Sequence, residues 1–270
     1  MLNTPEQQSS SLQFFKYQGA GNDFILLDSR QKNFEELTIE VIEKLCDRRF
    51  GIGADGLMLL KGHPDYDFEM IYYNADGRPG SMCGNGGRCI VAFAKYLDII
   101  TEQTEFLAVD GLHFAKISAE GTQVDLQMID VDTITNDEEA FVLNTGSPHY
   151  VKQVSDLKHL NVFEEGKAIR YNDTYITNGI NVNFVEDHGD HLFVRTYERG
   201  VEEETFACGT GVTAVALSMA KHNNNIGPQS TAIKVLGGDL RVNFNYNGQR
   251  FSDIFLCGPA MQVFKGEISL

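Results

Sequence analysis

Ser81-Met82-Cys83-Gly84-Asn85-Gly86-Gly87-Arg88-Cys89, followed by Ile90-Val91-Ala92-Phe93-Ala94-Lys95-Tyr96-Leu97, sets a thiol immediately before a glycine run and an apolar, helix-spaced segment. That order predicts a loop opening a helix, with Cys83 at the helix N-terminus, where unpaired backbone N–H groups and the positive end of the helix dipole meet. Such a position lowers a thiol pKa from about 8.5 toward neutral. An activated thiol and an anion pocket are therefore expected in one place. The arrangement returns downstream in Phe206-Ala207-Cys208-Gly209-Thr210-Gly211, which leads into Val212-Thr213-Ala214-Val215-Ala216-Leu217-Ser218-Met219-Ala220. Two copies of Cys-Gly-x-Gly before a helix predict a duplicated domain whose halves each present a thiol to a shared cleft.

The flanking chain fits a duplicated α+β unit. Residues 12–17 and 24–28 read as a hairpin about Gly19-Ala20-Gly21-Asn22-Asp23, and 38–48 has helical spacing through Ile39, Ile42 and Leu45. Gly51-Ile52-Gly53-Ala54-Asp55-Gly56 matches the dinucleotide pattern in letters. A helix precedes it and the strand-like Leu57-Met58-Leu59-Leu60 follows, the reverse of what that pattern requires, so the glycines are read as a tight turn. Strands are expected at 66–73, 105–109, 112–118 and 123–128. A polar, acidic linker at 130–140 is the candidate domain boundary. The second half echoes the first, with strands at 141–145, 149–154, 181–186 and 192–196, then the Cys208 helix, then strands at 231–236, 240–245 and 254–257. The expected halves are 12–130 and 131–263, with the tail 264–270 returning to the first. The polar residues 1–11 read as a frayed tail without the apolar core of a signal peptide.

A length of 270 residues allows two ordinary domains, and 42% hydrophobic with 22% charged residues is a globular composition. The net charge of −16 argues against a general nucleic-acid binder, which needs a basic face. Arg88, Lys95 and Lys221 interrupt or bound the longest apolar runs, so no membrane span is expected. The 5 cysteines, odd in number and scattered, suggest reduced thiols and a cytoplasmic protein.

Paired thiols narrow the chemistry. A disulfide redox pair usually shows C-x-x-C, which is absent, and the spacing of Cys83 and Cys89 with no accompanying His pair is poor for zinc, so no metal is expected. A Cys nucleophile with His149 as base leaves the second thiol unexplained. Inversion of a stereocentre by proton transfer needs a base on one face and an acid on the other, with the roles exchanged in the reverse direction, so similar groups on opposite faces are expected. When an α-proton leaves an amino acid, negative charge moves onto the carboxylate. Two helix N-termini aimed there stabilise the carbanion more than the ground state. No pyridoxal-lysine context stands out, and no cofactor is expected.

These blocks resemble diaminopimelate epimerase along nearly the whole chain. The similarity is carried by Gly19-Ala20-Gly21-Asn22-Asp23-Phe24, Arg49-Phe50-Gly51-Ile52-Gly53-Ala54-Asp55-Gly56, Tyr73-Asn74-Ala75-Asp76-Gly77 and Met82 to Cys89. It continues in Gly179-Ile180-Asn181-Val182-Asn183-Phe184 and in Tyr197-Glu198-Arg199-Gly200 leading to Ala207-Cys208-Gly209-Thr210-Gly211. The resemblance implies a cofactor-independent epimerase interconverting LL- and meso-2,6-diaminopimelate on the route to lysine and peptidoglycan. It implies two pseudo-symmetric halves, each a curled, mainly antiparallel, barrel-like sheet around a central helix, with the active site in the cleft between them, and a homodimer. It makes Cys83 and Cys208 the acid/base thiols, with His149 and Glu198 tuning them. Gly84, Asn85, Gly209 and Thr210 would cradle the reacting carboxylate. Asn22, Gly56, Asn74, Ser147, Asn181, Glu198 and Arg199 would hold the rest of the substrate, Arg199 as a fork for the distant carboxylate.

Three departures stand out. The family's Gly-Asn-Pro-His is Gly146-Ser147-Pro148-His149, where the shorter Ser147 suits a water-bridged contact. Gly56 stands where some relatives carry Gln. The loop from Val201 to Thr205 is a residue longer than in some members, and its run Glu202-Glu203-Glu204 reads as solvated. Cys46, Cys89 and Cys257 read as core thiols. A proline racemase or hydroxyproline epimerase shares the paired-thiol logic, but its cyclic substrate leaves Asn74, Asn181, Glu198 and Arg199 without work. A non-catalytic amino-acid-binding module is the rival of another class.

Overall fold

The computed structural model describes residues 11–32, 34, 36–137 and 139–269. Its first half runs β1 (Ser11–Gly19), β2 (Asn22–Asp28), α1 (Ile39–Cys46), β3 (Gly56–Lys61), β4 (Phe68–Asn74), α2 (Gly84–Tyr96), β5 (Gln103–Ala108), β6 (Gly111–Ile117) and β7 (Gln123–Gln127), followed by β8 (Ile134–Asp137). The second runs β9 (Ala140–Asn144), β10 (Pro148–Gln153), α3 (Val162–Arg170), β11 (Asn181–Asp187), β12 (Leu192–Glu198), β13 (Glu203–Thr205), α4 (Gly209–His222), β14 (Gly227–Val235), β15 (Gly238–Tyr246), β16 (Phe251–Pro259) and β17 (Met261–Ser269). The polar segment expected as a tail lies, through residue 10, outside the described residues, as do Glu138 in the acidic stretch and Leu270 at the end of the chain.

Strand pairing repeats between the halves. Parallel strands need a crossover, and each α-helix among the described residues supplies one: α1 joins β2 to β3, α2 joins β4 to β5, α3 joins β10 to β11 and α4 joins β12 to β14. The other named strand pairs are antiparallel. β7 pairs with β16, from Phe255 opposite Gln127 to Pro259 opposite Gln123, and so joins the two halves into one open sheet. The outer strands are exchanged: β8 pairs with β9, and β17 pairs with β1. The strand that closes each repeat thus lies beside the first strand of the other.

Alternate residues of the early strands feed two cores. Phe24 and Leu26 of β2, with Met58 and Leu60 of β3, face α2, while Ile25 and Leu27, with Leu57 and Leu59, face α1. Both faces are covered, which is why these strands read as continuous apolar runs. In the second half Val185, Val194 and Val242 pack on α4, and Val182, Phe184 and Tyr197 pack beneath α3. α2 and α4 are each enclosed by their own half of the sheet, and both are buried along nearly their whole length. Glycine permits that enclosure: a Cβ on Gly86 would lie 2.6 Å from the Met58 Cε.

Two sequence expectations need correction. Part of the acidic stretch at 130–140 is ordered strand, because β8 completes a ladder with β9. The segment between β10 and β11, where no element was expected, holds α3, whose Gly166 breaks the helical signal. A side chain there would run into Tyr197. The helix expected at 38–48 is α1, capped by Thr38 Oγ1 accepting from the Val41 N–H at 3.4 Å. No helix among the described residues is long and apolar enough to cross a membrane.

Candidate active site

Cys83 and Cys208 occupy the same structural position twice. Each is the residue before the first helical turn, at φ −112° and ψ 121° for Cys83 and φ −113° and ψ 111° for Cys208. Neither side chain caps its helix, so both thiols stay available for chemistry. The two helices meet at these ends. A methyl placed on Gly209 would lie 3.3 Å from Gly84 Cα and 3.7 Å from the Asn85 nitrogen, and 2.9 Å from Leu256 Cδ2 on the strand that joins the halves. Glycine at 84 and 209 lets two helix N-termini converge, an arrangement whose free N–H groups suit an anion.

Asparagines surround the Cys83 end. Asn22 Nδ2 donates to the Asp55 carboxylate, which turns the Asn22 carbonyl toward Cys83 Sγ at 3.7 Å and toward Asn85 Nδ2 at 3.2 Å. Asn85 Nδ2 also donates to the Ala207 carbonyl at 3.0 Å, one residue before Cys208. Asp55 is held in turn by the Asp23 N–H at 3.1 Å and by Arg48 at 2.7 Å. Burial pushes the Asp23 carboxyl up, but Arg48 and Lys16 outweigh it and hold the group at about 2. This fixed charge cluster anchors the loop after α1, and the hexamer from Gly51 to Gly56 is the turn expected, between α1 and β3.

On the Cys208 side, Thr210 Oγ1 lies 3.5 Å from Sγ, and the Thr210 carbonyl accepts from Thr145 Oγ1 at 2.8 Å. A second group joins Ser147, Asn181 and Arg199. Asn181 Nδ2 donates to Ser147 Oγ at 2.9 Å, its carbonyl accepts the Arg199 N–H at 2.9 Å, and Arg199 Nη2 reaches Ser147 Oγ at 3.3 Å. Gly56 lies on β3 opposite Asn74 on β4. The space above Gly56 is taken by Tyr72, whose ring carbon Cε2 would stand 2.5 Å from a Cβ at that position. Tyr72, Asp55, Asn183, Arg88 and Thr145 were not among the candidate site residues read from the sequence. The alternation Asn181-Val182-Asn183 is the one signal that could have found Asn183, because both asparagines share a strand face.

The helix-terminus argument for an acidic thiol is reversed here. Burial drives both thiols upward, and the charge of Glu198 adds to it. The N–H groups of Gly86 and Asn85 at Cys83, and of Gly211 at Cys208, pull the other way without prevailing. Glu198 is itself raised by burial, with Asp55 adding to the effect. Glu198→Gln is therefore expected to accelerate alkylation of Cys83 at a fixed pH near 8, about threefold or more, because it removes the negative charge that opposes the thiolate. Iodoacetamide labelling resolved by peptide mass checks this, and an unchanged or slower rate would contradict it.

His149 is fully buried. Asn183 Oδ1 accepts from Thr196 Oγ1 at 2.9 Å, and its Nδ2 donates to the Tyr150 carbonyl at 3.0 Å and to His149 Nδ1 at 3.1 Å. A carbonyl can only accept, so the amide is oriented, Nδ1 is the acceptor and the His149 proton sits on Nε2. Burial, followed by the charge of Arg199, lowers the ring to about 3. His149 is thus neutral, its Nε2–H buried without a partner among the described residues, and not a base that titrates near neutrality. Its nitrogen NMR shifts should stay constant between about pH 5 and pH 8, and a titration near its ordinary value would refute the assignment. The acidic run is less solvated than expected. Glu204 pairs with Arg195 at 2.6 and 2.8 Å, and Glu202 accepts from Tyr197 Oη at 3.2 Å.

This architecture, a mixed open sheet in two repeats with a helix through each, is found in proteins of very different sequence. A phenazine biosynthesis protein of the PhzF family from Bacillus anthracis superposes with a TM-score of 0.77 at 13% identity, over 97% of this chain and 100% of that one. A hydroxyproline epimerase from Agrobacterium vitis superposes with a TM-score of 0.68 at 14% identity, over 98% and 94%. They define the fold class only. Sequence narrows it: the family model for diaminopimelate epimerase matches residues 14–134 and again 141–263. A diaminopimelate epimerase from Flavobacterium psychrophilum is 49% identical over 95% of this chain and 100% of its own length, and one from Chlorobaculum tepidum is 43% identical over 93% and 99%. The chain belongs to the diaminopimelate epimerase family.

Proposed function

We propose that the protein interconverts LL- and meso-2,6-diaminopimelate by proton transfer between two thiols, without a cofactor. The observation that carries this reading is the convergence of two helix N-termini, one from each half, each preceded by a cysteine in the same conformation. A substrate α-carboxylate seated on the N–H groups of Gly84, Asn85, Gly209 and Thr210 places its α-carbon between Cys83 and Cys208. One thiolate removes the α-proton while the opposite thiol donates its own, and the direction of reaction sets which does which. Charge delocalised onto the carboxylate in the transition state falls on the helix ends, where each donor of this kind contributes about a hundredfold or more.

The remaining candidates divide by place. Asn22, whose carbonyl lies 3.7 Å from Cys83 Sγ, belongs to the Cys83 side, and Asn74 and the backbone at Gly56, paired across β3 and β4, are assigned to the substrate there. Ser147, Asn181 and Arg199 receive the distal amino-acid head, with Arg199 as the carboxylate fork. Glu198 and the neutral His149 tune the thiols. A homodimer, a cytoplasmic setting and a place in lysine and peptidoglycan precursor synthesis belong to the same proposal, as does a division of the chain near residue 130.

The test is conversion of LL-diaminopimelate to the meso form by purified, reduced protein in buffer without added cofactor, followed by chiral chromatography, with proline and 4-hydroxyproline in parallel. Conversion of diaminopimelate alone is expected. Folded protein that leaves it unchanged would remove this function.

A further inference from the structure

Arg88 is the largest fully buried side chain among the described residues, at 0% exposure. It lies on the first turns of α2, five residues after Cys83. No carboxylate pairs with it: the salt bridges among the described residues do not include it. Nη1 donates to the Gly84 carbonyl at 3.3 Å, Nη2 donates to Asn85 Oδ1 at 3.0 Å, and Nε is buried without a partner among the described residues. Space for the guanidinium is kept by Gly258 on β16, where a Cβ would stand 3.2 Å from Nε. An uncompensated buried cation is costly, and an apolar side chain of similar length would fill the same volume without that cost. An Arg retained here points to a use for its charge and its fork.

Both uses lead to the thiols. By taking Asn85 Oδ1, Arg88 dictates that the Asn85 NH₂ faces the opposite way, where it bridges Asn22 Oδ1 and the Ala207 carbonyl. Asn22 Oδ1 is also the acceptor of the Cys83 thiol, and Ala207 immediately precedes Cys208. One guanidinium therefore sets the amide that ties the Cys83 side of the cleft to the Cys208 side.

We propose that Arg88 is a positioning residue for the thiol pair: its fork locks the Asn85 bridge across the two halves, and its charge supports the thiolate of Cys83. This deepens the two-thiol reading and rests on it. The charge opposes burial at Cys83, where Glu198 acts in the opposite sense. The other titratable groups in electrostatic reach are Tyr72, Cys89 and Cys208 around Cys83, and Cys89 and Cys257 around the guanidinium. Among these only Arg88 brings a positive charge to Cys83.

The experiment compares wild type, Arg88→Met and Arg88→Lys by iodoacetamide labelling across a pH series, reading Cys83 alone by peptide mass, with thermal unfolding alongside. Arg88→Met is expected to unfold within about 5 °C of wild type. Its Cys83 should react about twofold more slowly at pH 8, a smaller change than Glu198 produces in the opposite sense. Arg88→Lys, which keeps the charge and loses the fork, should label close to the wild-type rate while inverting substrate more slowly. Should Arg88→Met not fold, Arg88→Gln is set against Arg88→Lys, and the neutral variant must label about twofold more slowly. Superimposable labelling profiles for charged and neutral variants would overturn the proposal and leave Arg88 a structural tie. Labelling requires no diaminopimelate, so failure of wild type to invert that substrate would be told apart from failure of this inference.

Discussion

Cys83→Ala and Cys208→Ala are each expected to lower inversion of LL-diaminopimelate by about a thousandfold or more, the scale of losing one positioned acid or base. The loss should fall on kcat, since neither thiol is placed to hold the substrate. Folding should survive, because neither side chain caps its helix and Cys to Ala removes little volume. A finer signature accompanies the loss. With one thiol left, an α-proton can still be abstracted from one face, so each variant should exchange solvent deuterium into at most one of the two stereoisomers, and the two variants should differ in which. Chiral chromatography with mass detection reads both. If either variant keeps more than about a tenth of the wild-type rate, its thiol is not an acid/base group.

Arg199→Met is expected to raise KM for LL-diaminopimelate about 10- to 150-fold, the range set by a charged hydrogen-bond pair of about 1.5–3 kcal/mol. Arg199 is exposed, yet it is already oriented by the Asn178 carbonyl at 3.1 Å and Ser147 Oγ at 3.3 Å, so little ordering is needed to grip a carboxylate. As a grip on the distal carboxylate, its loss should leave kcat within about threefold, the pattern of lost uniform binding. Steady-state kinetics decide the matter: a collapse of kcat at constant KM would place Arg199 in the reacting centre instead. Stability should change little, because no buried charge loses a partner.

What could be read from the sequence was local. The Cys-Gly-x-Gly repeat, the Gly19–Asp23 hairpin turn and the strand after Gly56 are set by spacing and turn chemistry within a few residues, and the structure has them where expected. The exchange of β8 and β17 between the repeats depends on which edges remain free once the rest of the sheet has formed, and no short-range pattern encodes that. α3 was hidden by Gly166, a poor helix former present because Tyr197 leaves no room for a side chain. Arg88 reads in sequence as a charge interrupting an apolar run, whereas enclosure of α2 on all sides buries it entirely. The thiols make the same point about energetics. A helix N-terminus visible in sequence favours the thiolate, but desolvation and Glu198, brought in by β12, dominate once the halves close around it.

The most direct measurement is the fate of the α-proton in the first few per cent of turnover. Wild-type protein in D₂O is given LL-diaminopimelate, and product and remaining substrate are separated and weighed by mass. With one thiol abstracting and the other donating a solvent-exchanged deuteron from the opposite face, the meso product should carry one deuterium and the recovered LL substrate none. Product that retains the substrate's own proton, or deuterium entering substrate and product equally from the start, would mean that a single group serves both faces.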